Sequence, residues 1–397
     1  MPRRPSDHDR PSAVPFVALA LALALVAGGA AAGVSFLGSP AGSTGGRPRP
    51  VSEAAWRSCR PPDLGPVVPA PVRLGSWPYR LLVPGTFGVV TSGPGDDLEL
   101  LQACGAEETA LRVVRLSPAG RVLAVSRMFP RAALLASALL AVPGALFLAT
   151  ARLDLSGQVS LPPYELALYR LDPSSLAVRS SAALGRGSGA ELVSAAGQVL
   201  VGTGGSLLEL ASSSPLETRL LFSFGRSDLE HLVAGDGSLV LLSTLVPGAT
   251  GPAATTRLET LRATRSGAKV VAERDLPPGS SVQALAVSGA TAVVAGGSGA
   301  LSRVVALRLP SLAPASGPGS LAASLDAVGL DVTGRTLWVR TVTSLECRAG
   351  ATGAFLASTQ LSGSPAPVVT GVFRNSEGTF ALTGAGLGRL TAPSACG

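Results

Sequence analysis

One short pattern recurs seven times along this chain: a glycine in a turn, then four to six apolar or β-branched residues, then small polar ones. "DVTGRTLWVRT" (331–341) is a clear copy. Successive turn glycines are 59, 53, 40, 52, 45 and 44 residues apart, which is the length of a unit of about four short strands. These glycines are Gly85, Gly144, Gly197, Gly237, Gly289, Gly334 and Gly378.

The residues around each glycine predict the four strands of one unit. An apolar run such as "ELVSA" or "ALAVS" comes before the glycine and predicts an innermost strand, and the apolar run after it predicts the second. An alternating third strand such as "LALYRLDPSS" and a more polar fourth strand such as "KVVAERDL" follow. Glycine suits the first hairpin because positive φ costs it little. The sequence therefore predicts an all-β, seven-bladed β-propeller over residues 76–397.

The last unit ends before its fourth strand, which is informative about how the ring closes. We expect a strand from the other end of the domain, within "PVVPAPVRL" (66–74), to complete this blade and remove its free edge. In the fifth unit, "LAPASGPGS" (312–320) is too rich in Pro and Gly for a regular outer strand. A stacked array of β-sandwiches is the alternative architecture, but it leaves the missing final strand unexplained.

Two segments carry a resemblance to a known group of proteins. "LYRLDPSSLAV" (168–178) and "LDVTGRTLWVRTVTSLECRAGATGAFLAS" (330–358) each end a strand in an acidic or polar turn before the outer strand. In this they resemble the exported bacterial β-propellers built from PQQ-like or YVTN-like repeats. The resemblance covers residues 76–397 as architecture, and no copy carries the full repeat signature. It implies a bacterial, exported propeller.

The N-terminal residues predict a membrane segment. Residues 13–38 carry no charge and are long enough to cross a bilayer. Arg3, Arg4 and Arg10 precede them, so residues 1–12 are expected to form a cytoplasmic tail, with the domain outside. An uncleaved anchor and a cleaved secretory signal both fit, giving a single-pass membrane protein or a secreted one. Residues 39–75, rich in Pro, Gly and Ser, are expected to form a linker.

Four cysteines, an even number, lie in the exported part and predict two disulfides. They are Cys59, Cys104, Cys347 and Cys396. Proximity in sequence favours Cys59 with Cys104 and Cys347 with Cys396. A Cys59–Cys396 bridge would instead join the two ends of the domain.

Composition excludes several functions. The net charge of +7 is spread thinly, without basic runs or interleaved aromatics, so no nucleic-acid partner is predicted. With two histidines and no CxxC pair, no metal site is predicted. The tryptophans do not offer the stacking site of a quinoprotein, so no cofactor is predicted, and Trp338 is expected to pack between blades. Asp96, Asp97 and Glu99 are interpreted as a solvated acidic turn.

The channel mouth, where the innermost strands begin, is the expected place for a site. Candidate ligand-binding residues are Glu191, Gln283 and Asp326, and candidate catalytic residues are Asp228, Glu230 and His231. Carboxylates brought together there would have perturbed pKa values, as a general acid–base pair requires. The alternative is a wet channel lined by scattered polar groups.

The predicted function is a binding or scaffold module of the bacterial cell envelope, with a protein or envelope component as its partner. The alternative is a lactonase-like or glycosidase-like hydrolase that uses the carboxylates and His231. The scarcity of His, Tyr, Lys and acidic residues favours the binding module over an enzyme.

Overall fold

A computed structural model describes residues 73–92, 96–104, 110–153, 164–247, 255–277, 279–298, 301–315, 327–333, 335–361 and 368–397. The chain divides into two compact units, 1–47 and 48–397, and all of the described residues belong to the second. The predicted tail, the predicted membrane segment and nearly all of the predicted linker therefore lie outside the described residues. Within the described ranges, no helix is long and apolar enough to cross a membrane.

Seven antiparallel sheets account for the described chain, apart from its turns and a short 3-10 helix at Ser394–Cys396. The strands are β1 (Arg73–Leu74), β2 (Trp77–Pro84), β3 (Phe87–Ser92), β4 (Leu98–Cys104), β5 (Ala110–Leu116), β6 (Val122–Val125), β7 (Phe129–Pro130), β8 (Ala138–Val142), β9 (Ala145–Leu153), β10 (Tyr164–Leu171), β11 (Val178–Gly187), β12 (Ala190–Ala195), β13 (Gln198–Thr203), β14 (Ser206–Ser213), β15 (Leu216–Ser223), β16 (Asp228–Ala234), β17 (Leu239–Val246), β18 (Thr255–Thr264), β19 (Gly267–Asp275), β20 (Ser280–Ser288), β21 (Thr291–Ser298), β22 (Leu301–Arg308), β23 (Ala313–Pro314), β24 (Ala327–Thr333), β25 (Thr336–Thr341), β26 (Ser344–Ala349), β27 (Phe355–Gln360), β28 (Val369–Asn375), β29 (Gly378–Thr383) and β30 (Gly386–Leu390).

The sheets are the blades of a seven-bladed β-propeller, as the sequence predicted. Blades 1 to 6 are β3–β6 (with β7 paired to β5), β8–β11, β12–β15, β16–β19, β20–β23 and β24–β27, and blade 7 combines β28–β30 with β2 and β1. The inner strands are β3, β8, β12, β16, β20, β24 and β28. Each contacts the inner strand of the next blade, and β28 returns to β3, so the ring is closed.

The ring closes through a different segment from the one predicted. The fourth strand of blade 7 is β2, which pairs Tyr79 with Leu390. Of the predicted segment 66–74, residues 66–72 lie outside the described residues, and Arg73–Leu74 pair with β2 as β1 at the outer edge. In β2, Trp77 and Tyr79 supply alternating buried side chains, as a strand that packs on a neighbouring blade requires.

Gly85 does not have the role that the repeat pattern gave it. It joins β2 of blade 7 to β3 of blade 1, whereas Gly144 and Gly197 sit in the predicted hairpin between an inner and a second strand. In blade 1 that hairpin falls at residues 93–97, which explains why the first spacing was the longest. Gly237, Gly289 and Gly378 also occupy the predicted hairpin, and Gly334 lies outside the described residues.

The outer strand of blade 5 is as weak as its composition predicted: β23 has two residues, which pair with the end of β22. The apolar run at 131–148 supplies the inner strand β8 and the first part of the second strand β9.

A β-bulge interrupts five of the seven inner strands near their start. One residue there has no partner on the second strand; these residues are Gly88, Glu230, Gln283, Val328 and Thr370. The inner strands of blades 2 and 3 pair without interruption. A bulge bends the strand and redirects the side chains around it. The alternation of side chains between the two faces of the sheet is therefore interrupted near the start of these inner strands, at the channel mouth.

The core is divided among the contacts between neighbouring blades. Between blades 6 and 7, Trp338 is fully buried, as predicted, and packs edge-to-face on Trp77 with ring centroids 6.0 Å apart. Its indole Nε1–H donates to Thr333 Oγ1 at 2.8 Å, so burial leaves no indole donor unpaired.

The Cys347–Cys396 disulfide ties β26 of blade 6 to the C-terminal 3-10 helix. This confirms one predicted pairing and excludes the Cys59–Cys396 alternative. Cys104 is also disulfide-bonded, and Cys59 lies outside the described residues.

The acidic segment of blade 1 is not a solvated turn throughout. Asp96 is exposed, but Asp97 and Glu99 are buried against β5. Glu99 is the second residue of β4, so it belongs to a strand rather than to the turn, and its side chain is buried.

Candidate functional site

All seven inner strands begin on the same side of the propeller, which we call the top face. Because neighbouring strands are antiparallel, second strands end there, third strands begin there and fourth strands end there. A cavity of about 500 Å³ opens on this face beside the first residues of β12 and β16. Its polar lining comprises Tyr164, Ser188, Glu191, Thr203, Asp228 and Glu230. No Lys or Arg is among the described lining residues.

Close packing of blade 4 on blade 3 positions two of these carboxylates. A Cβ atom on Gly202 would lie 2.3 Å from Leu229 Cδ2, so only a glycine lets β16 approach β13 this closely. The Leu229 N–H also donates to Gly204 O at 2.7 Å. Leu229 is thus fixed at its side chain and its backbone, with Asp228 and Glu230 on either side of it.

Glu191 is the second residue of β12. Its Oε2 accepts a 3.4 Å hydrogen bond from the Leu232 N–H of the next blade. Protein surrounds the carboxyl group densely, although 39 % of the side chain stays open to the space along the inner strands. This burial raises the pKa of Glu191 to about 7, and the hydrogen bond from Leu232 only partly opposes it. Glu191 therefore titrates near neutrality.

His231 faces away from the cavity and toward blade 5. Its Nε2 lies 3.2 Å from Val282 O, and because a carbonyl only accepts, Nε2 carries the hydrogen. Its Nδ1 lies 3.8 Å from Glu191 Oε1. Burial lowers the pKa of His231, and the bond to Val282 opposes this. When the ring is neutral, Nδ1 carries the lone pair and faces Glu191 Oε1.

Glu230 is the bulged residue of β16. It lines the cavity, and its Oε2 is buried without a hydrogen-bond partner in the described part of the chain. Burial raises the pKa of Glu230. With Glu191, it gives the cavity two carboxyl groups that bind a proton more tightly than exposed ones do.

The remaining predicted residues are not all brought together. Asp228 is exposed at the cavity rim. Gln283 is the bulged, exposed residue of β20 and is not among the described lining residues. Asp326 lies outside the described residues. Within the described ranges, no three His, Cys, Asp or Glu side chains are grouped so as to hold a metal ion.

Sequence reasoning missed a partly buried ion pair between an inner and a second strand of blade 6. Asp331 on β24 accepts from Arg340 Nε at 2.6 Å and from the Val372 N–H of blade 7 at 3.2 Å. Burial raises the pKa of Asp331, and Arg340 opposes this. Glu191 makes the same kind of bond to Leu232 of the following blade. The signal for it was a lone acid inside the apolar run "AVGLDV".

Comparison with known proteins assigns this chain to no family and gives it no function. No protein-family model and no curated protein sequence matches this chain. Among solved structures it is similar to the Dos1 propeller, with 12% identity and a TM-score of 0.46, covering 78% of this chain and 81% of that one. It is also similar to a structure from work on two prolyl endopeptidases, with 13% identity and a TM-score of 0.49 over 79% of this chain. It spans only 48% of the endopeptidase chain, about half its length.

Proposed function

We propose that the protein is an extracytoplasmic binding or scaffold module of the bacterial cell envelope, and that it receives a cationic group of its partner in the top-face cavity. The single observation that carries this proposal is the convergence of Glu191, Asp228 and Glu230 on one cavity without a described Lys or Arg. A partner's amine or guanidinium would supply the missing positive charge and the missing donor for Glu230 Oε2.

The apolar side chains around the cavity favour a macromolecular partner. Leu135, just before β8, lines the cavity and is 99 % exposed. The top face also carries four more exposed large apolar side chains, which are Met128, Leu153, Val342 and Val368. These four are spread over blades 1, 2, 6 and 7, so it is the exposed side chain of Leu135, at the cavity, that would contact a macromolecular partner.

The proposed extracytoplasmic location of the protein is supported by its sequence. The uncharged segment 13–38, the resemblance to exported PQQ-like and YVTN-like propellers, and the predicted disulfides all favour the extracytoplasmic side. The Cys347–Cys396 bond is consistent with an oxidising compartment.

The experiment is purification of the full chain in mild detergent, with mass spectrometry of what is retained. The test variant is Glu191→Gln with Glu230→Gln. Glu273→Gln, on the outer strand of blade 4, is the matched control because it removes one exposed carboxylate far from the cavity. We expect a stoichiometric partner with the wild type and the control, and its loss with the double variant. Retention by all three, or no stoichiometric partner with the wild type, would refute the proposal.

One observation favours the hydrolase as a second candidate. Glu191 has a pKa of about 7 and the pKa of Glu230 is raised, so either carboxyl group is able to hold a proton for a leaving group. The hydrolase predicts turnover of lactone or glycoside substrates that Glu191→Gln or Glu230→Gln abolishes. A binding module predicts no turnover with the wild-type chain.

A further inference from the structure

A second and larger cavity, of about 700 Å³, lies on the same face toward the rim, between blades 1 and 2. Its charged lining residues are Arg127, Arg152, Glu165 and Arg186, which give a formal charge of +2. The third strand of blade 2 separates it from the acidic cavity. Tyr164 lines the acidic cavity and Glu165 lines the basic one, because consecutive strand residues point to opposite sides of a sheet.

This cavity exists because the outer strand of blade 1 is short and because blade 2 presents small residues opposite it. The outer strand of blade 1, β6, has four residues, and the chain then pairs again as β7, leaving Arg127 and Met128 between the two pairings. Opposite them, blade 2 presents the small residues Ala167, Ala183 and Gly185. Because blade 2 presents these small residues here, Arg127 and Met128 border an open cavity.

Arg127 is held in place without an acid. Its guanidinium carbon lies 5.5 Å from the Phe129 ring centroid and 5.9 Å from that of Tyr169. The two rings pack on each other across the blades, 4.9 Å between centroids. Among the described residues, no carboxylate pairs with Arg127. Its charge and its N–H donors are thus available to a ligand.

Neighbouring polar groups add to this arrangement. The Tyr169 hydroxyl makes no hydrogen bond to any described residue, and the side chain lines the cavity. Arg152 pairs with Glu165 at 2.5 Å, but both side chains are about half exposed, and such pairs contribute little. Arg152 is therefore able to break its ion pair with Glu165 and to bind a ligand instead, with only a small loss of free energy. Met128 and Phe129 supply apolar lining.

We propose that this cavity binds a small organic anion with an apolar body, whose carboxylate or phosphate group is bound by Arg127. Guanidinium groups match the geometry of both oxyanions, and the volume lies within the usual range for small-molecule sites. Phe129 and Met128 would contact the body of the ligand. The site is independent of the acidic cavity, because none of its charged residues lines that cavity.

Calorimetric titration of the full chain at low salt tests this with three probes of one shape. 2-Naphthoate and 2-naphthyl phosphate carry the two oxyanions, and 2-naphthamide is the neutral control. We expect at least one anion to bind about tenfold more tightly than the amide, since a hydrogen bond to a charged group is lost with the amide. The tighter of the two anions identifies the preferred head group.

Two variants assign the binding to Arg127. Arg127→Gln removes the charge and should weaken anion binding about tenfold while leaving the amide unchanged. Arg179→Gln is the matched control, because Arg179 is exposed on blade 2, which also borders the cavity, but it pairs with Asp172 and does not line the cavity. Equal affinity for anions and amide, no anion binding at millimolar concentration, or the same affinity in Arg127→Gln as in the wild type would overturn the proposal.

Discussion

Glu99 is expected to make the propeller less stable as pH rises. Its side chain is 1 % exposed, and neither carboxylate oxygen has a hydrogen-bond partner among the described residues. Arg115 Nε lies 3.9 Å from Glu99 Oε1 but donates to Asp97 at 2.8 Å. Burial therefore dominates and raises the pKa of Glu99 from 4.5 to about 7.

The sign and size of the effect follow from that difference. Between the two pKa values the folded chain binds one more proton than the unfolded chain, so each pH unit removes about 1.4 kcal/mol from the free energy of unfolding. Stability from this residue is present below pH 4.5 and is lost as pH rises through 7. Between pH 5 and pH 8 the loss is about 2.5 kcal/mol. Glu99→Gln keeps the shape and removes the titration.

Urea unfolding of the wild type and of Glu99→Gln at pH 5, 6, 7 and 8 measures this directly. We expect the variant to gain about 2.5 kcal/mol relative to the wild type across the series, whatever constant offset the amide adds. Glu217→Gln, at an exposed carboxylate on β15, is the control for the effect of the substitution itself. A flat difference for Glu99→Gln would show that Glu99 is ionised in the folded protein at pH 5, and would refute the reasoning.

Three further changes test other parts of the fold by denaturant unfolding. Gly197→Ala should cost about 1 kcal/mol, because φ is +75° while the space around the site is open, so backbone strain acts alone; an unchanged midpoint would contradict this. Replacing Cys347 and Cys396 by Ala should cost about 4 kcal/mol through the 49-residue separation of the bridge, and an unchanged free energy of unfolding would contradict this. Arg340→Met should cost about 2 kcal/mol because it leaves the partly buried Asp331 without its cation, and a loss equal to that of an exposed arginine would count against it.

The repeat pattern was sufficient to predict the fold because each blade repeats the same local pattern. The hairpin glycines fixed the boundary between inner and second strands in blades 2 to 5 and in blade 7. Closure was harder to predict, since the pairing of β2 with β30 joins residues about 300 positions apart and has no local signal. The alternation of Trp77, Tyr79 and Val83 marks β2 as a strand, but it does not name its partner.

The candidate site was predicted in part, and the bulges explain the remainder. In "DLEHL" strict alternation would place Leu229 and Leu232 on opposite faces of the sheet. Both lie in the same core cluster, because Glu230 is the extra residue and the chain regains its register only at His231. The bulge thus leaves Glu230 at the cavity and His231 facing Val282. These two residues are neighbours in sequence, but their side chains contact different parts of the protein.

The same shift of side chains by a bulge occurs in other blades, and the spacing of apolar residues in the sequence indicates it. Apolar residues three apart, rather than two, face one core in the bulged inner strands of four blades; the pairs are Phe87 and Val90, Leu229 and Leu232, Val282 and Leu285, and Val369 and Val372. A spacing of three within a strand thus locates the bulge and names the residue that it redirects. In blade 4 that residue is an acid with an unpaired oxygen, whereas in blades 1, 5 and 7 it is Gly88, Gln283 and Thr370. The bulge is a shared feature of the inner strands. Because the bulged residue of blade 4 is Glu230, this blade contributes a carboxyl group to the acidic cavity.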